Sequence, residues 1–154
     1  MKYATWFAVA LLTAGGYSQH TTTTMLVQVT PEAYLVPKRI PLHFQVLADG
    51  SSVTAQTESI TAWVRTLPGK AVRITARPIT GLALSWSGTV MRATQGAKAA
   101  SCTSGMFEAA TPGELVSGWS QSGVLTCAVT FTLAEAKTLP VGIYTTTVDL
   151  SISP

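Results

Sequence analysis

The chain has 154 residues, 47% of them hydrophobic and 11% charged, with a formal net charge of +3. A charged share this far below the usual value of about 25% disfavours a helical protein with a charged, solvated face. The net charge is too small for a nucleic-acid-binding surface. Aromatic and β-branched residues are spread along the chain, which excludes disorder, and the length favours one domain.

The first 18 residues have the three parts of a secretory signal peptide. Lys2 supplies the positive charge, residues 4–14 form an apolar run, and small residues follow in "AGGYS". The run is shorter than the roughly 20 residues that a spanning helix needs, although an uncleaved anchor is the alternative. We therefore expect a single mature domain, residues 19–154, that meets the membrane only through its signal peptide. Its expected destination is the cell surface or the medium, with the bacterial periplasm as the other compartment.

Two cysteines, Cys102 and Cys127, lie in the exported part and are separated by 25 residues. In an oxidising compartment they are expected to pair. Closing a loop of this length stabilises the fold by roughly 3 kcal/mol in the chain-entropy model. A metal site is the alternative, but neither a CxxC motif nor a nearby histidine supports it.

Alternation of apolar and polar residues predicts strands along most of the mature chain. The first follows a run of threonines and places Met25, Val27 and Val29 on one face. Glycine-containing turns at Asp49-Gly50 and Pro68-Gly69 separate later strands. The residues predicted to share one face of a strand are Leu42, Phe44 and Val46; Ile60, Ala62 and Val64; Leu82, Leu84 and Trp86; and Leu125, Cys127, Val129, Phe131 and Leu133. Val72, Ile74 and Ala76 are expected to point inward.

The segment from Gly88 to Gly123 is rich in small residues and has scattered apolar positions. We expect long loops there, with short strands around residues 106–107 and 115–119. A clean closing strand follows, on which Tyr144 is expected to be a core or corner residue whose hydroxyl bonds the backbone. The sequence thus predicts an all-β fold, an immunoglobulin-like antiparallel β-sandwich of seven or more strands with a long loop region before the penultimate strand.

Two stretches resemble the immunoglobulin-like BACON-type modules of secreted bacterial proteins. These are "LHFQVLADGSSVTAQTESI" and "LAEAKTLPVGIYTTTVDLSIS", the second with the closing motif Gly142, Tyr144, Val148 and Leu150. The cysteine-bearing middle of the chain does not match. The resemblance implies a module of extracellular proteins with a suspected role in glycan or mucin contact.

The closing strand is also similar to the ending of spore-coat-U-type and related pilin-like subunits. Their other markers are not evident, above all a cysteine early in the mature chain. This resemblance implies assembly into a surface fibre.

Catalytic motifs are missing from the sequence. The two histidines, His20 and His43, are accompanied by no GxSxG elbow. The carboxylates are isolated from one another, and no HExxH, calcium loop or phosphate-binding glycine loop occurs. We expect no enzyme activity, no cofactor and no metal.

Ligand contact is the alternative to catalysis, and its candidates are Trp63, Arg65 and Trp119. Trp63 alternates with Ala62 and Val64, so it points outward if those residues face the core, and Arg65 shares its face. Burial of Trp63 is the competing interpretation, and Trp119 is divided between packing and exposure. Trp86 is expected in the core. Arg65, Arg73 and Arg77 either line one basic face or are separate solvated side chains.

The expected function is that of a secreted, non-catalytic module for binding or surface structure, in contact with carbohydrate. Its expected partners are a polysaccharide or a cell-surface protein, and not nucleic acid. The alternative is a pilin-like or coat subunit that self-assembles through strand donation. Residues 21–30 suit a donated strand, although they equally suit the first strand of a self-contained sandwich.

Overall fold

The computed structural model describes residues 28, 30–51, 55–108 and 111–153. The predicted signal peptide and the predicted first strand, residues 25–29, fall outside this part except for Gln28, which is exposed and belongs to no strand. The described strands are β1 (Glu32–Val36), β2 (Arg39–Val46), β3 (Gln56–Arg65), β4 (Val72–Pro78), β5 (Leu84–Ala93), β6 (Ser101–Cys102), β7 (Ser104–Met106), β8 (Gly113–Trp119), β9 (Gly123–Leu133) and β10 (Gly142–Ser153). Short 3₁₀ turns occupy Gln95–Ala97 and Ala136–Thr138.

The strands form two five-stranded antiparallel sheets, which confirms the predicted all-β sandwich. Sheet A has the order β1-β3-β9-β5-β7, and sheet B has the order β2-β10-β4-β8-β6. Successive strands alternate between the sheets. No helix in the described part is long and apolar enough to cross a membrane.

The core lies between the sheets and is built by the predicted alternation. Strand β2 alternates strictly between exposed and buried residues, and β9 keeps every second residue buried. The residues predicted to share a face or to point inward are all buried except Leu82, which is half-buried against the core. Full burial of a side chain such as Phe44 contributes roughly 1.5–3 kcal/mol. At the two predicted turns, Gly50 and Gly69 have positive φ.

The segment 88–123 contains more strand than the sequence indicated. Strand β5 continues to Ala93, and three further short strands follow before β9; the expected strands near 106–107 and 115–119 correspond to β7 and β8. The sequence does not reveal these strands because glycines stand where strands approach closely, and the apolar residues that would mark a strand are missing there. A Cβ on Gly88 would lie 2.7 Å from the carbonyl oxygen of Thr103 and 2.8 Å from the Cβ of Cys102.

The predicted disulfide between Cys102 and Cys127 is present. It joins β6 of sheet B to β9 of sheet A and therefore ties the two layers together. Cys127 is buried, and Cys102 packs against the same core. A disulfide of this kind indicates an oxidising compartment.

Candidate functional site

An aromatic pair lies on the outer face of sheet A. Tyr34 of β1 and Trp63 of β3 are directly opposite each other in the strand register. Trp63 is 39% exposed and Tyr34 is 61% exposed. Of the two interpretations left open for Trp63, exposure is the one that the structure shows, because Ala62 and Val64 on either side of it face the core.

The sequence did not identify Tyr34 as a candidate ligand-contact residue. Strand β1 is short, and only Leu35 among its residues is buried, so the segment "EAYLV" shows too little alternation to reveal which face Tyr34 occupies. Only the pairing of β1 with β3 shows that Tyr34 lies beside Trp63, and this pairing cannot be read from a single sequence.

An ion pair borders the aromatic pair. Arg65 Nη2 lies 2.7 Å from Glu32 Oε2, and the two residues are opposite each other in the register. The Arg65 guanidinium carbon is also 5.8 Å from the centroid of the Trp63 ring, within the range of a cation–π contact. Both charged side chains are more than half exposed, so the ion pair adds little to the stability of the fold. Its main effect is to hold the two charged groups in position on the surface.

Rows of hydroxyl groups continue the same face across the sheet. The Thr57 and Thr130 hydroxyls are 2.7 Å apart, and those of Thr61 and Thr126 are 3.1 Å apart. Each pair joins β3 to β9 at opposite register positions. Along β3 from Arg65 toward Thr57, the outer face of sheet A therefore carries an ion pair, two aromatic rings and then hydroxyl groups.

Trp119 is not part of this surface. It is 1% exposed, and its Nε1–H donates to the carbonyl oxygen of Gln121 at 2.7 Å. The prediction that Trp119 contacts a ligand is therefore wrong. The sequence around it is typical of a loop, but β8 carries the Trp119 ring into the core. Trp86 lies in the core as predicted, with its ring centroid 4.4 Å from that of Phe107.

The three arginines considered as one basic face do not share a face. Arg65 lies on sheet A, while Arg73 and Arg77 lie on β4 of sheet B. A second exposed ion pair joins Arg39 to Asp149 at 2.8 Å on sheet B. The positive charges are therefore distributed over both layers of the sandwich.

Within the described residues, no group of three His, Cys, Asp or Glu side chains is placed to hold a metal ion. His43 is exposed on the outer face of sheet B. Asp49 has a lowered pKa, chiefly because the Ser51 hydroxyl donates to it at 2.7 Å and secondly because the Ser51 backbone N–H does so at 2.9 Å. This contact belongs to the turn after β2.

The order of the strands defines a second candidate site at one edge of sheet B. The run β1-β3-β9-β5 repeats the A-B-E-D order of an immunoglobulin sheet, and β4-β10 repeats C-F of the other sheet. An immunoglobulin domain places strand G beside F. Here β2, which follows β1 after only two residues, occupies that position and pairs directly with β10 over eight register positions, from Gly142↔Val46 to Asp149↔Arg39.

The free edge of β2 is a poor site for a further strand. The backbone N–H of His43 points away from β10 and donates to Gln56 Oε1 at 2.6 Å. Alternate residues present their N–H groups to the same edge, so Pro41 leaves a gap in the row of donors. A proline, which has no N–H group, and N–H groups that are already hydrogen-bonded both hinder the addition of a further strand to an edge.

Strand β10 extends beyond β2. Its pairing with β2 ends at Asp149, and the Leu150 N–H donates to the Lys38 carbonyl oxygen at 2.9 Å. Residues 151–153 still pair with β4 on the other side. Among the described strands, none is hydrogen-bonded to these residues on the β2 side, although β1 of the other sheet approaches β10 closely.

Tyr144 at the start of β10 fulfils its predicted role. Its hydroxyl donates to the Pro140 carbonyl oxygen at 2.7 Å and fixes the corner through which the chain enters β10.

Comparison with protein-family models, with curated proteins and with solved structures gives no significant match.

Proposed function

We propose that the chain is an exported, non-catalytic structural subunit that assembles at the cell surface by strand donation. Residues 19–31 of one copy would supply a strand to sheet B of the next. The observation that carries this proposal is the strand order, in which β10 holds the position of F and pairs directly with β2 where strand G is expected. The sequence alone favoured a self-contained module, and the strand order is the observation that supports the alternative.

The direction of β2 supports the proposal. In variable-type immunoglobulin domains the second half of the first strand runs antiparallel to F, with G between them. Strands β2 and β10 are likewise antiparallel. Removing G and closing the sheet would produce this pairing, so a donated strand has a natural position between β2 and β10.

The inward side of that position is apolar. Leu42, Phe44 and Val46 of β2 are at most 1% exposed, and Val148 and Leu150 of β10 are also buried. A strand inserted between them would place every second side chain over this core. Such insertion exchanges one ladder of backbone hydrogen bonds for two, with each added bond worth about 0.5–1.5 kcal/mol.

The sequence before β1 suits the donor. Met25, Val27 and Val29 alternate with other residues after four threonines, as required of an extended segment that adds to a sheet. Burial of each apolar side chain would contribute roughly 1.5–3 kcal/mol. Residues 151–153, which have no hydrogen-bonded neighbour on the β2 side, offer a starting point from which a donor could insert between β2 and β10.

A peptide complementation experiment tests the proposal. A variant lacking residues 19–30 is mixed with a peptide of residues 19–31, and binding is followed by calorimetry and thermal unfolding. We expect a one-to-one complex with a raised Tm. The control peptide carries Val27→Asp, which would place a charge over the core and should not bind. Equal behaviour of both peptides, or no binding by either, would contradict strand donation.

Carbohydrate contact, the first expectation from the sequence, does not compete with assembly. The exposed aromatic pair lies on sheet A, whereas the proposed donor site lies in sheet B.

A further inference from the structure

We infer that the outer face of sheet A carries a binding site for neutral, linear polysaccharide, formed by Tyr34, Trp63 and the Glu32–Arg65 pair. This inference goes beyond assembly and does not depend on it, because none of these residues belongs to β2 or β10.

The aromatic surface is the first support for the site. Opposite residues on neighbouring strands have Cβ atoms about 4.5–5.5 Å apart, so the Tyr34 and Trp63 side chains leave the sheet side by side on the same face. Neither ring is needed to fill the core, which lies on the other side of the sheet. Aromatic rings bury much area with little loss of conformational entropy, and the apolar C–H faces of pyranose rings suit such a surface.

The ion pair determines the kind of sugar. Sugar hydroxyls both donate and accept hydrogen bonds, and the Glu32 carboxylate and Arg65 guanidinium offer an acceptor and a fork of donors at the border of the rings. Their charges balance each other at 2.7 Å. An acidic polymer would gain little from Arg65 and would be repelled by Glu32, so a neutral one is favoured.

The shape of the surface determines the length of the ligand. The rings lie on a sheet face, and the hydroxyl pairs Thr61–Thr126 and Thr57–Thr130 continue from them across β3 and β9. A single sugar would find no enclosing walls on such a face. A linear chain can cover the rings with one unit and reach the hydroxyl rows with the next.

Affinity electrophoresis of the full mature chain tests the site. Native gels contain one soluble polysaccharide each: hydroxyethylcellulose, xylan, galactomannan, a β-1,3-glucan or, as the acidic comparison, alginate. The chains compared are wild type, Trp63→Ala, Tyr34→Ala and Trp63→Phe. The matched control is Ile143→Ala, an apolar side chain 77% exposed on the other sheet.

We expect at least one neutral polysaccharide to retard the wild-type chain. The apparent Kd should rise at least tenfold in the two alanine variants, less in Trp63→Phe, and not at all in Ile143→Ala. Thermal unfolding of each variant checks that the fold is kept.

Three results would overturn the inference: no retardation by any neutral polysaccharide, equal retardation of the wild type and Trp63→Ala, or retardation by alginate alone. None of them bears on strand donation, whose tests measure mass and peptide binding.

Discussion

Loss of the disulfide should destabilise the sandwich strongly. Cys102 and Cys127 are 25 residues apart and join the two sheets. Opening a loop of this length costs roughly 3 kcal/mol in the chain-entropy model. At about 4 °C for each kcal/mol in a domain of this size, the Tm should fall by about 12 °C.

The assay is thermal and urea unfolding of the wild type and of the Cys102→Ala/Cys127→Ala double variant, each with and without reductant. Reductant should lower the Tm of the wild type nearly to that of the variant and should leave the variant unchanged. The comparison separates the cross-link from the loss of sulfur atoms in the core. A variant within about 3 °C of the oxidised wild type would refute the reasoning, since the cross-link would then restrict the unfolded chain very little.

Three further predictions concern local contacts. Gly96→Ala should lower the free energy of unfolding by about 1–3 kcal/mol in urea, because its Cβ would overlap a backbone carbonyl oxygen. The control Gly81→Ala, with open space around it, should change stability by less than about 1 kcal/mol. Equal effects of the two substitutions would contradict the close packing at Gly96. Tyr144→Phe should lose about 1 kcal/mol by the same measurement, since it removes the corner hydrogen bond, and an unchanged midpoint would show that water replaces the bond. The lowered pKa of Asp49 means that its ionised form stabilises the fold above the ordinary pKa and that this contribution is lost as the pH falls through the folded-state pKa. Asp49→Asn should therefore be less stable than wild type at pH 7, with the difference in Tm shrinking under acid conditions; a difference independent of pH would contradict this.

The fold could be predicted largely because its inner faces follow a strict period of two. Strand β9 illustrates this, since its predicted inward residues from Leu125 to Leu133 are all buried. The disulfide followed from the compartment and the number of cysteines. Tyr144 followed from its place after a glycine at the start of a strand.

The segment 88–123 could not be predicted as well, because its packing depends on close approach of strands. A Cβ on Gly105 would lie 2.7 Å from the Trp86 ring, and Gly88 is restricted in the same way by Cys102 and Thr103. Glycine carries no hydropathy signal, so the strands that it permits leave little trace in the pattern.

The candidate sites were only partly predictable because they depend on which strands are neighbours. The alternation of β3 put Trp63 on the face opposite Ala62 and Val64 without showing which face is buried, and Tyr34 joins Trp63 only through the β1–β3 register. Trp119 was misassigned for a related reason, since the small polar residues around it gave no sign that β8 carries its ring inward. The direct pairing of β2 with β10 is likewise a property of the whole topology.

Strand donation is tested most directly by the mass of the mature chain in solution. Residues 19–154 are purified under oxidising conditions and analysed by size-exclusion chromatography with light scattering, beside variants Val27→Asp and Thr22→Asp. We predict a series of multimers for the wild type and for Thr22→Asp, in the polar lead-in, and their loss in Val27→Asp. A monomer of unchanged stability in all three chains would contradict the account and would make the domain a self-contained sandwich.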